Sequence, residues 1–553
     1  MPSNKELSRL FSLYAELLQL HGQKDRLSGL LNGASYRIRQ LEDPITSMPA
    51  SELNNAFRPE IVSIITQLVK QGSIADLEEL IQLTPPGLFD MMRVKGLGGK
   101  KLAVLWKTAK IDSLEELLRK AKAGEIAFIK GFGVKTQANI INAIENLNAS
   151  SDRFHYADVA DVAEELVASL QKILKTDLVS LCGDIRRQTL TVEKIEILMA
   201  VPFKRLQTAS VKRLLHLSAG SPAESTGHTL DEFPVQLHHT TAKHFFNELF
   251  VKTGNAAHVQ KVFKGDGIFP SEEAIYKKAG LPFIVPEMRE DVAEWRFIRS
   301  EGTLVTDDDI KGVVHNHTTW SDGVDSLEDF VNACRKRRYE YVVISDHSKN
   351  AHYAGGLKEE KVLRQLQAID ALNKKLKGTR VFKSIECDIL VSGELDYDAS
   401  LLQQFDMVIA SIHQLLKMNE EKATARLIKA IENPYTTMLG HMTGRQLLIR
   451  PGYPVDFKKV IDACAANGVV IEINTNPYRL DMDWSHIPYA LERGVMISLN
   501  PDAHSIGEIE NIRWGVSAAR KGGLTKEMTW NAMGVTEVEE WLRKKKGRRG
   551  NEK

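Results

Sequence analysis

An alternation of apolar strand-like runs with helical patterns occupies residues 311–545, and it constrains the fold of this chain more than any other feature. Helical patterns such as Leu327–Arg338 and Glu359–Lys375 separate most of the runs. Strands that alternate with helices favour a parallel sheet, and seven such units favour closure into a barrel. The runs are Gly312–His317, Tyr341–Asp346, Val381–Ile385, Met407–Ile412, Thr436–Gly440, Val469–Asn474 and Val495–Asn500.

Residue types that bind metal ions stand at the ends of six of these seven runs. Functional groups on parallel barrels lie at the carboxyl ends of the strands, so we expect these side chains to meet. His315 and His317 stand at i and i+2 of the first run, where side chains point the same way, and Asp322 follows in the next loop. The remaining run ends in Asn474. The candidates at the other ends are Asp346, His347, Glu386, His413, His441, Asp502 and His504.

The mixture of histidines and carboxylates indicates which ions such a centre would bind. Imidazole and carboxylate groups together suit Zn²⁺, Mn²⁺ or Fe²⁺. One His-x-His pair alone predicts little, because a surface strand with two histidines has the same pattern. The recurrence of these residue types at successive strand ends is what predicts a metal centre.

The first 150 residues carry helical patterns, almost no strand signal and one internal repeat. Val94–Lys101 and Ile129–Thr136 each read apolar-Lys-Gly-apolar-Gly-x-Lys, with starts 35 residues apart. Glycines let backbone N–H groups approach a phosphate, the following helix N-terminus favours an anion, and the lysines add charge without base specificity. The alternative is a capping turn between packed helices that never meets DNA. The candidate DNA-binding residues are Gly96, Gly98, Lys100, Gly131, Gly133 and Lys135.

These turns look like a pair of helix-hairpin-helix motifs, and the segment downstream of them has a family resemblance of its own. Two strand-like runs flank Gly183–Arg187, which reads G-D-I-R-R. Together with the turns, this segment resembles the palm of a family X DNA polymerase, which has the nucleotidyltransferase fold. Family members carry G-S-x-R-R, then an Asp-x-Asp pair, then a third aspartate on a later strand. Here the pair falls on Lys194 and Glu196, the third aspartate falls on Gln236, and Asp184 replaces the serine.

These departures predict that the palm has lost its chemistry. Two-metal phosphoryl transfer needs clustered anionic oxygens that hold two Mg²⁺ ions about 3.5 to 4 Å apart. Only Glu196 remains as a carboxylate, and the ammonium of Lys194 would repel a divalent ion. We therefore expect the polymerase-like fold to be kept, Mg²⁺ binding in the palm to be doubtful, and nucleotide transfer to be absent.

Four phrases within residues 311–545 are similar to PHP (polymerase and histidinol phosphatase) domains fused to bacterial family X polymerases. They read G-L-K-E-E, I-E-C-D-I-L, H-M-T-G-R and E-I-N-T-N-P-Y-R-L-D. The resemblance implies up to three divalent ions, Mn, Zn or Fe, in a ligand set that shares Glu386. The implied ligands are His315, His317, Glu386 and Asp502 for the first ion, Asp322, His347 and His504 for the second, and Glu386, His413 and His441 for the third.

The implied chemistry is phosphoester hydrolysis. Bound ions lower the pKa of a water molecule to about 7 and so supply a nucleophile at neutral pH. Arg445 follows His441 closely enough to clamp a phosphate, although a surface arginine in a salt bridge fits the same pattern.

The chain of 553 residues is too long for one hydrophobic core, and the motifs divide it. The expected fold is multidomain, with an α-helical helix-hairpin-helix N-terminal region, an α+β nucleotidyltransferase-like palm and thumb, and a C-terminal α/β distorted (β/α)7 PHP barrel. The basic run Arg543–Arg549 predicts an unstructured tail. The expected boundaries are residues 1–82 (helical, 8 kDa-like), 83–150 (helix-hairpin-helix, fingers-like), 151–300 (degenerate palm and thumb), 311–545 (PHP phosphoesterase) and 546–553 (basic tail).

The preferred hypothesis is a metal-dependent phosphoesterase that acts on DNA, as a 3′-to-5′ exonuclease or a 3′-end-processing enzyme in DNA repair. One alternative is an active gap-filling polymerase with a proofreading PHP domain, which Lys194 and Gln236 oppose. Another is a small-molecule phosphatase of the histidinol-phosphatase type, which the twin glycine turns oppose. A DNA-binding scaffold without catalysis is a further alternative, which the full set of candidate ligands opposes.

Cysteine usage and hydropathy indicate the compartment. The four cysteines lie far apart and form no C-x-x-C pair, which fits a reducing environment. No stretch approaches the length of a membrane span, and the first residues lack an apolar signal region. We expect a cytoplasmic protein, in keeping with association with the nucleoid.

Overall fold

The computed structural model describes residues 4–23, 25–39, 41, 45–94, 96–150 and 152–550. The chain divides into two compact units, Met1–Ser151 and Asp152–Lys553. This division is coarser than the domains expected from the sequence, whose boundaries remain predictions. Among the helices that the structure describes, none combines the length and the apolarity needed to cross a membrane.

The first unit is helical in its described residues, as the sequence predicts, and contains no strand there. The opening helix packs against the second, fifth and seventh helices. Its side chains Leu7, Phe11 and Tyr14 are buried because they recur on one helical face. The helices are α1 (Asn4–His21), α2 (Asp25–Arg39), α3 (Ala50–Ala56), α4 (Pro59–Gln71), α5 (Ala75–Leu83), α6 (Pro86–Met92), α7 (Gly99–Ala103), α8 (Leu114–Lys122) and α9 (Val134–Ser150).

Residues 152–300 of the second unit, called the polymerase-like part because they include the segment that resembles a polymerase palm, contain one main sheet. Its strands are β1 (Phe154–His155), β2 (Val179–Leu181), β3 (Thr191–Val192), β4 (Ile195–Met199), β5 (Leu215–Gly220), β6 (Glu224–Thr229) and β7 (Pro234–His239). The sheet has the order β2-β4-β7-β6-β5, with β4 and β7 parallel and the other neighbours antiparallel, while β1 pairs with β3. The two predicted runs that flank Gly183–Arg187 are therefore confirmed as β2 and β4.

The remaining strands are all parallel to their neighbours. They are β8 (Gly312–Asn316), β9 (Tyr341–Ile344), β10 (Arg380–Lys383), β11 (Glu386–Asp388), β12 (Ile409–Ser411), β13 (Met438–Leu439), β14 (Val470–Asn474) and β15 (Ile497–Asn500). They form two sheets, β10-β9-β8 and β11-β12-β13-β14-β15. Isolated parallel bridges, Asn316 with Ala503 and His347 with Glu386, join the two sheets on both sides into a ring.

Each of the seven predicted runs contains a strand, and one of them differs from expectation. The expected third strand is interrupted after Lys383, and Glu386 begins a new strand instead of ending the old one. The reason is a change of partner, because β10 pairs with β9 whereas β11 pairs with β12. Strand residues such as Val313, Val342 and Ile471 are fully buried, as expected for parallel strands that helices cover.

The described residues of the second unit also contain fifteen α-helices. The last of them corrects the expectation of an unstructured tail, because Arg543–Arg549 lies in a helix that continues to Gly550. Lys545 Nζ donates to the carbonyl oxygen of Asn467 at 2.5 Å, which fixes this helix on residues 311–545, the barrel-like part that contains the ring of parallel strands. Residues 551–553 lie outside the described residues. The helices are α10 (Tyr156–Leu174), α11 (Gly183–Arg186), α12 (Ala209–Lys212), α13 (Phe245–Thr253), α14 (Ala256–Val262), α15 (Glu272–Lys278), α16 (Glu294–Phe297), α17 (Leu327–Lys336), α18 (Glu359–Asn373), α19 (Ala399–Leu402), α20 (Glu420–Ile431), α21 (Phe457–Asn467), α22 (Ile487–Glu492), α23 (Ile512–Lys521) and α24 (Val535–Gly550).

Candidate functional site

Nine of the ten candidate ligands of the sequence analysis come together, eight of them at or after the carboxyl ends of parallel strands and Glu386 at the start of β11. They fall into four overlapping groups, and in each group the potential ligand atoms lie within 4.8 Å of one another. The groups are His317, Asp322, His347 and His504; His315, Glu386 and His441; His315, His317 and Asp502; and His347, Glu386 and His413.

Backbone geometry at two of these residues explains how the side chains converge. His315 and Asp502 have φ angles of +64° and +51°, a left-handed conformation that residues other than glycine rarely adopt. The simple i, i+2 alternation expected for His315 and His317 does not apply, because the register shifts between Val313 and Asn316. The two rings still lie close together, with centroids 5.3 Å apart. Strain of about 1 to 3 kcal/mol per residue is typical of functional sites.

Glu386 is the centre of the cluster. Its Oε1 lies 2.9 Å from His441 Nε2, 3.1 Å from His413 Nε2 and 3.2 Å from His315 Nε2. Its Oε2 lies 2.8 Å from His347 Nδ1. Burial raises the pKa of Glu386, but the imidazoles of His413 and His315 outweigh this effect and hold the pKa well below its usual value. The carboxylate is therefore ionised and in a position to bridge two cations.

Many atoms of this cluster are buried without a hydrogen-bond partner, which tests whether the residues fit metal ions. Burying such atoms unsatisfied costs about 1 to 3 kcal/mol each, so a native structure rarely collects several in one place. Close contacts without hydrogen-bond geometry mean that lone pairs converge on common points, which is the arrangement that a divalent cation needs. The residues therefore fit divalent ions. The atoms are His315 Nε2, both ring nitrogens of His317, His347 Nδ1, both carboxylate oxygens of Glu386, His441 Nδ1 and Asp502 Oδ1.

Two buried carboxylates that the sequence analysis missed orient the histidines. Glu472 Oε2 accepts a hydrogen bond from His315 Nδ1 at 2.5 Å, and its Oε1 accepts one from the backbone N–H of His441 at 3.0 Å. Asp388 accepts a hydrogen bond from His413 Nδ1. Such contacts fix the tautomer, so Nε2 of His315 and of His413 faces the cluster. The sequence signal was an isolated acidic residue inside an apolar strand, V-V-I-E-I-N.

Asp346, which the sequence placed at a strand end as a candidate, points away from the cluster. It accepts hydrogen bonds from the backbone N–H groups of Thr318 and Ser321, at 2.8 and 3.0 Å, and from Gln365. Burial raises the pKa of Asp346 in spite of these hydrogen bonds. Its carboxylate therefore orders the loop that carries Asp322 and is not itself in the ligand set.

Arg445, the predicted phosphate clamp, contacts protein groups in this structure. Its Nε donates to the carbonyl oxygen of Arg479 at 2.9 Å, its Nη2 donates to that of Leu480, and its Nη1 lies 2.6 Å from Asp483 Oδ2. The arginine thus holds the loop that follows β14. Arg479, which the sequence analysis did not select, reaches the cluster with Nη1 at 3.2 Å from Asp502 Oδ2.

The degenerate palm positions contain a network of ion pairs. Glu196 and Gln236 are register partners on β4 and β7. Glu196 Oε1 lies 3.4 Å from His238 Nε2 and 3.7 Å from Lys194 Nζ, and His238 Nδ1 lies 3.1 Å from Glu224 Oε1. Burial raises the pKa of Glu196, but His238 and Lys194 lower it below its usual value. The one carboxylate left at the three metal-binding positions of the motif therefore already has two partners within the protein.

The charged side chains of G-D-I-R-R are also paired within the protein. Arg186 Nη2 lies 2.6 Å from Glu272 Oε2, and Arg187 contacts both Asp184 and Glu290. A triphosphate at this turn would therefore meet a carboxylate, Asp184, that already pairs with Arg187. Both arginines of the motif are engaged by carboxylates.

The two glycine turns of the first unit share one backbone conformation. Gly96 and Gly131 both have φ +92°, which requires glycine at the same place in each turn. The apolar residue that follows each of them is buried. Lys95, in the first turn, lies outside the described residues. All six candidate DNA-binding residues are exposed to solvent, namely Gly96, Gly98, Lys100, Gly131, Gly133 and Lys135.

Comparison with known proteins identifies the family. No protein-family model matches the chain. A probable phosphatase of Thermoanaerobacter sp. (strain X514) is 28% identical over 255 residues, which cover 43% of this chain and 96% of the relative. A probable phosphatase of Caldanaerobacter subterraneus subsp. tengcongensis is 27% identical over 254 residues, covering 43% of this chain and 92% of the relative. The DNA polymerase/3′-5′ exonuclease PolX of Bacillus subtilis (strain 168) is 30% identical over 565 residues, which cover 98% of this chain and 99% of the relative. With this similarity over nearly the full length of both chains, the protein belongs to the PolX family.

Proposed function

We propose that the protein is a metal-dependent phosphoesterase that hydrolyses DNA, as a 3′-to-5′ exonuclease or a 3′-end-processing enzyme in DNA repair. The observation that carries the proposal is the convergence of buried imidazole and carboxylate atoms that have no hydrogen-bond partner. The exonuclease and phosphatase names of the relatives support the same class of reaction.

The finer organisation of the chain is part of this proposal. Residues 1–82 form a helical N-terminal domain, and residues 83–150 form a helix-hairpin-helix region that holds the DNA backbone without reading its sequence. Residues 151–300 form a polymerase-like palm and thumb, and residues 311–545 form a distorted (β/α)7 PHP barrel. The two exposed glycine turns and the ring of parallel strands support these assignments.

The nine candidate ligands would hold up to three divalent ions, with Glu386 shared between two of them. Mixed imidazole and carboxylate donors suit Mn²⁺, Zn²⁺ or Fe²⁺. When bound, the ions polarise the phosphoryl group and lower the pKa of a water molecule to about 7. The proposed sets are those that the resemblance implies, namely His315, His317, Glu386 and Asp502; Asp322, His347 and His504; and Glu386, His413 and His441. The observed groups of close ligand atoms differ in part, because His413 and His441 each group with Glu386 but not with one another.

The surrounding residues of this chain orient the donors. Glu472 and Asp388 keep Nε2 of two histidines directed at the centre. Arg479 donates to Oδ2 of Asp502 and leaves Oδ1, which has no hydrogen-bond partner, directed at the ions. Arg445 holds the loop that carries Arg479, and a direct contact between Arg445 and phosphate remains a prediction.

Nucleotide transfer is absent from this protein in our proposal. At the three positions where the family has aspartates, one carboxylate remains, Glu196, and His238 and Lys194 already pair with it. Arg186 and Arg187, which a triphosphate would need as partners, pair with Glu272 and Glu290. A bound Mg²⁺ pair would have to break these contacts without the anionic oxygens that stabilise it.

The test is incubation of end-labelled single-stranded, gapped and 3′-phosphorylated DNA with the protein and Mn²⁺, with and without dNTPs. We expect shortened or dephosphorylated products, and no extension when dNTPs are present. His315→Ala and Asp502→Ala should abolish hydrolysis, whereas Glu492→Gln, at an exposed surface carboxylate, should not. Templated extension would support the gap-filling polymerase instead. Hydrolysis of histidinol phosphate with intact DNA would support the small-molecule phosphatase.

A further inference from the structure

An exposed aromatic side chain stands beside the candidate metal centre. The ring centroid of Tyr353 lies 6.3 Å from that of His347 and 6.5 Å from that of His413, both candidate ligands. Yet 68% of the surface of Tyr353 is accessible to solvent. Among the residues that the structure describes, it is the one exposed aromatic residue with a ring contact to a candidate ligand.

The segment that carries Tyr353 is firmly attached to the rest of the site. Ala351 and Ala354, on either side of the tyrosine, are buried. Gly356 lies so close to the carbonyl oxygen of Ser348 that a Cβ atom there would be 2.0 Å from it. Ser348 and Leu357 form a parallel bridge that closes the base of the segment.

A hydrogen bond links the same segment to the support of the metal centre. Asn350 Nδ2 donates to Asp388 Oδ2 at 2.7 Å, and Asp388 also accepts the hydrogen bond of His413 Nδ1. The backbone that carries Tyr353 is therefore attached to the support of the candidate ligands. Its exposure follows from its place at the edge of the site.

An exposed ring gains little stability from packing, and at this distance from His347 and His413 it presents a flat apolar face to whatever binds at the candidate centre. A base is the ligand that fits, because every base offers a flat π face to an aromatic side chain. A nucleotide whose phosphate lies at the metal centre brings its own base to the edge of the site, where Tyr353 stands.

We propose that the ring of Tyr353 stacks on the base of the terminal nucleotide and so makes the site prefer a nucleotide end to a small phosphomonoester. This inference depends on the proposed function, because it needs DNA as the substrate. Stacking is tolerant of sequence, so the preference should be for the presence of a base and not for its identity.

The first experiment compares two single-stranded oligonucleotides with Mn²⁺ and full-length protein. One ends in a normal 3′ thymidine, and the other ends in a 3′ tetrahydrofuran residue that lacks a base. We expect the wild-type protein to favour the normal end by about tenfold in kcat/KM, since a base–aromatic stack contributes on that order. Tyr353→Ala should bring the ratio close to one, mainly through KM, whereas Tyr353→Phe should keep it.

The matched control is Tyr36→Ala, which removes an equally exposed tyrosine of the first unit (66% accessible) and should leave the ratio unchanged. The second experiment does not need catalysis. An oligonucleotide with 2-aminopurine at its 3′ end, whose last phosphodiester carries a non-hydrolysable methylene in place of the 3′ oxygen, is mixed with Mn²⁺-loaded full-length protein. The fluorescence should be quenched by the wild type and by Tyr353→Phe, and much less by Tyr353→Ala.

The outcomes separate this inference from the function on which it rests. If the wild type hydrolyses both oligonucleotides equally, or if Tyr353→Ala keeps the wild-type ratio, the stacking role is overturned while the exonuclease function stands. If Tyr353→Phe loses as much as Tyr353→Ala, the hydroxyl and not the ring is responsible, and the stacking role is again overturned. If neither oligonucleotide is hydrolysed while a small phosphomonoester is, DNA is not the substrate and both proposals fall.

Discussion

The Nδ1 atom of His315 lies 2.5 Å from Oε2 of Glu472, and this contact determines which nitrogen of the imidazole faces the metal centre. Because Nδ1 carries the proton that Glu472 accepts, Nε2 keeps its lone pair for a cation. The same carboxylate accepts hydrogen bonds from the backbone N–H of His441 and from Asn500 Nδ2. One residue thus orders three strand ends of the ring.

Glu472→Gln should weaken metal binding without removing any ligand. An amide has one oxygen and one NH₂ group, whereas the three partners of Glu472 are all donors. One donor must therefore face the NH₂ group, whichever way the amide turns. We expect about 10- to 100-fold weaker affinity for the divalent ion, the effect typical of such supporting residues. Calorimetric titration of the metal-free protein with Mn²⁺ or Zn²⁺ measures it, and Glu492→Gln is the control. Wild-type affinity in Glu472→Gln would show that the tautomer of His315 does not depend on this contact.

Removing divalent ions should destabilise the protein. The cluster then keeps buried donors and acceptors without partners, whereas a bound ion stabilises the folded state by mass action, by about 2.7 kcal/mol at a concentration 100 times its Kd. We expect chelation to lower the Tm and Mn²⁺ or Zn²⁺ to restore it, with Mg²⁺ less effective because imidazole is a poor ligand for it. Differential scanning calorimetry measures the shift. His315→Ala should abolish most of the response, and equal Tm values for chelated and Mn²⁺-loaded wild type would contradict the prediction.

Glu272 should make stability depend on pH in the acidic range. Its Oε1 lies 2.5 Å from Nη1 of the fully buried Arg289, and its Oε2 lies 2.6 Å from Arg186 Nη2. Burial raises the pKa of Glu272, but the two arginines outweigh it and hold the pKa below its usual value. Because the folded pKa is lower than the unfolded one, the stabilisation is complete above the unfolded value of about 4.3 and is lost as the pH falls through the folded value.

Glu272→Gln should therefore cost about 3 kcal/mol of unfolding free energy at pH 7, since it leaves buried guanidinium groups without their carboxylate. The difference from wild type should shrink as the pH falls below the unfolded value of about 4.3, because the carboxyl of the unfolded wild-type chain then becomes protonated first. Urea denaturation at pH 7 and near pH 3.5 measures both values. Glu273→Gln, at the exposed neighbouring residue, is the control and should change little at either pH. A difference that stays constant with pH would rule out the charged pair as its source.

The strands of the metal-binding region could be located from the sequence, and the reason is physical. Parallel strands covered by helices are buried on both faces, so they appear as continuous apolar runs, and the chemical groups follow where those runs end. The nine residues of the implied ligand set gather in the structure, whereas Asp346, a tenth candidate at a strand end, binds the neighbouring loop instead.

Contacts between distant parts of the chain could not be predicted in the same way. The left-handed backbone of His315 depends on the irregular pairing of β8, which no local pattern encodes. The partners of Arg445 are fixed only when the loop after β14 folds back upon it. Glu472 could not be predicted from the positions of strand ends, because its side chain acts from within the strand.

A buried lysine joins the polymerase-like segment to the barrel-like part of the second unit. Lys521, which is 1% exposed, lies at the end of α23. Its Nζ donates to the carbonyl oxygen of Arg187 at 2.8 Å and to Glu290 Oε1 at 2.7 Å. Burial lowers the pKa of Lys521 in spite of the carboxylate of Glu290. The arginine motif that would hold a triphosphate in a polymerase is here attached to the part of the chain that carries the metal centre.

Lys521→Met keeps most of the side-chain volume and removes the charge, so it should isolate the contribution of this contact. We expect a loss of roughly 3 kcal/mol in unfolding free energy, because one partner of a buried ion pair is removed and Glu290 keeps only Arg187. Lys526→Met is the control, since this half-exposed lysine pairs with Asp309 at the surface and such pairs contribute about 0 to 1 kcal/mol. Denaturant titration followed by both tryptophan fluorescence and circular dichroism measures the two variants. If Lys521→Met were as stable as Lys526→Met, the buried cation would make no net contribution to the unfolding free energy. The attachment of Gly183–Arg187 would then have to depend on the neighbouring ion pair of Arg520 and Glu287, 2.7 Å apart.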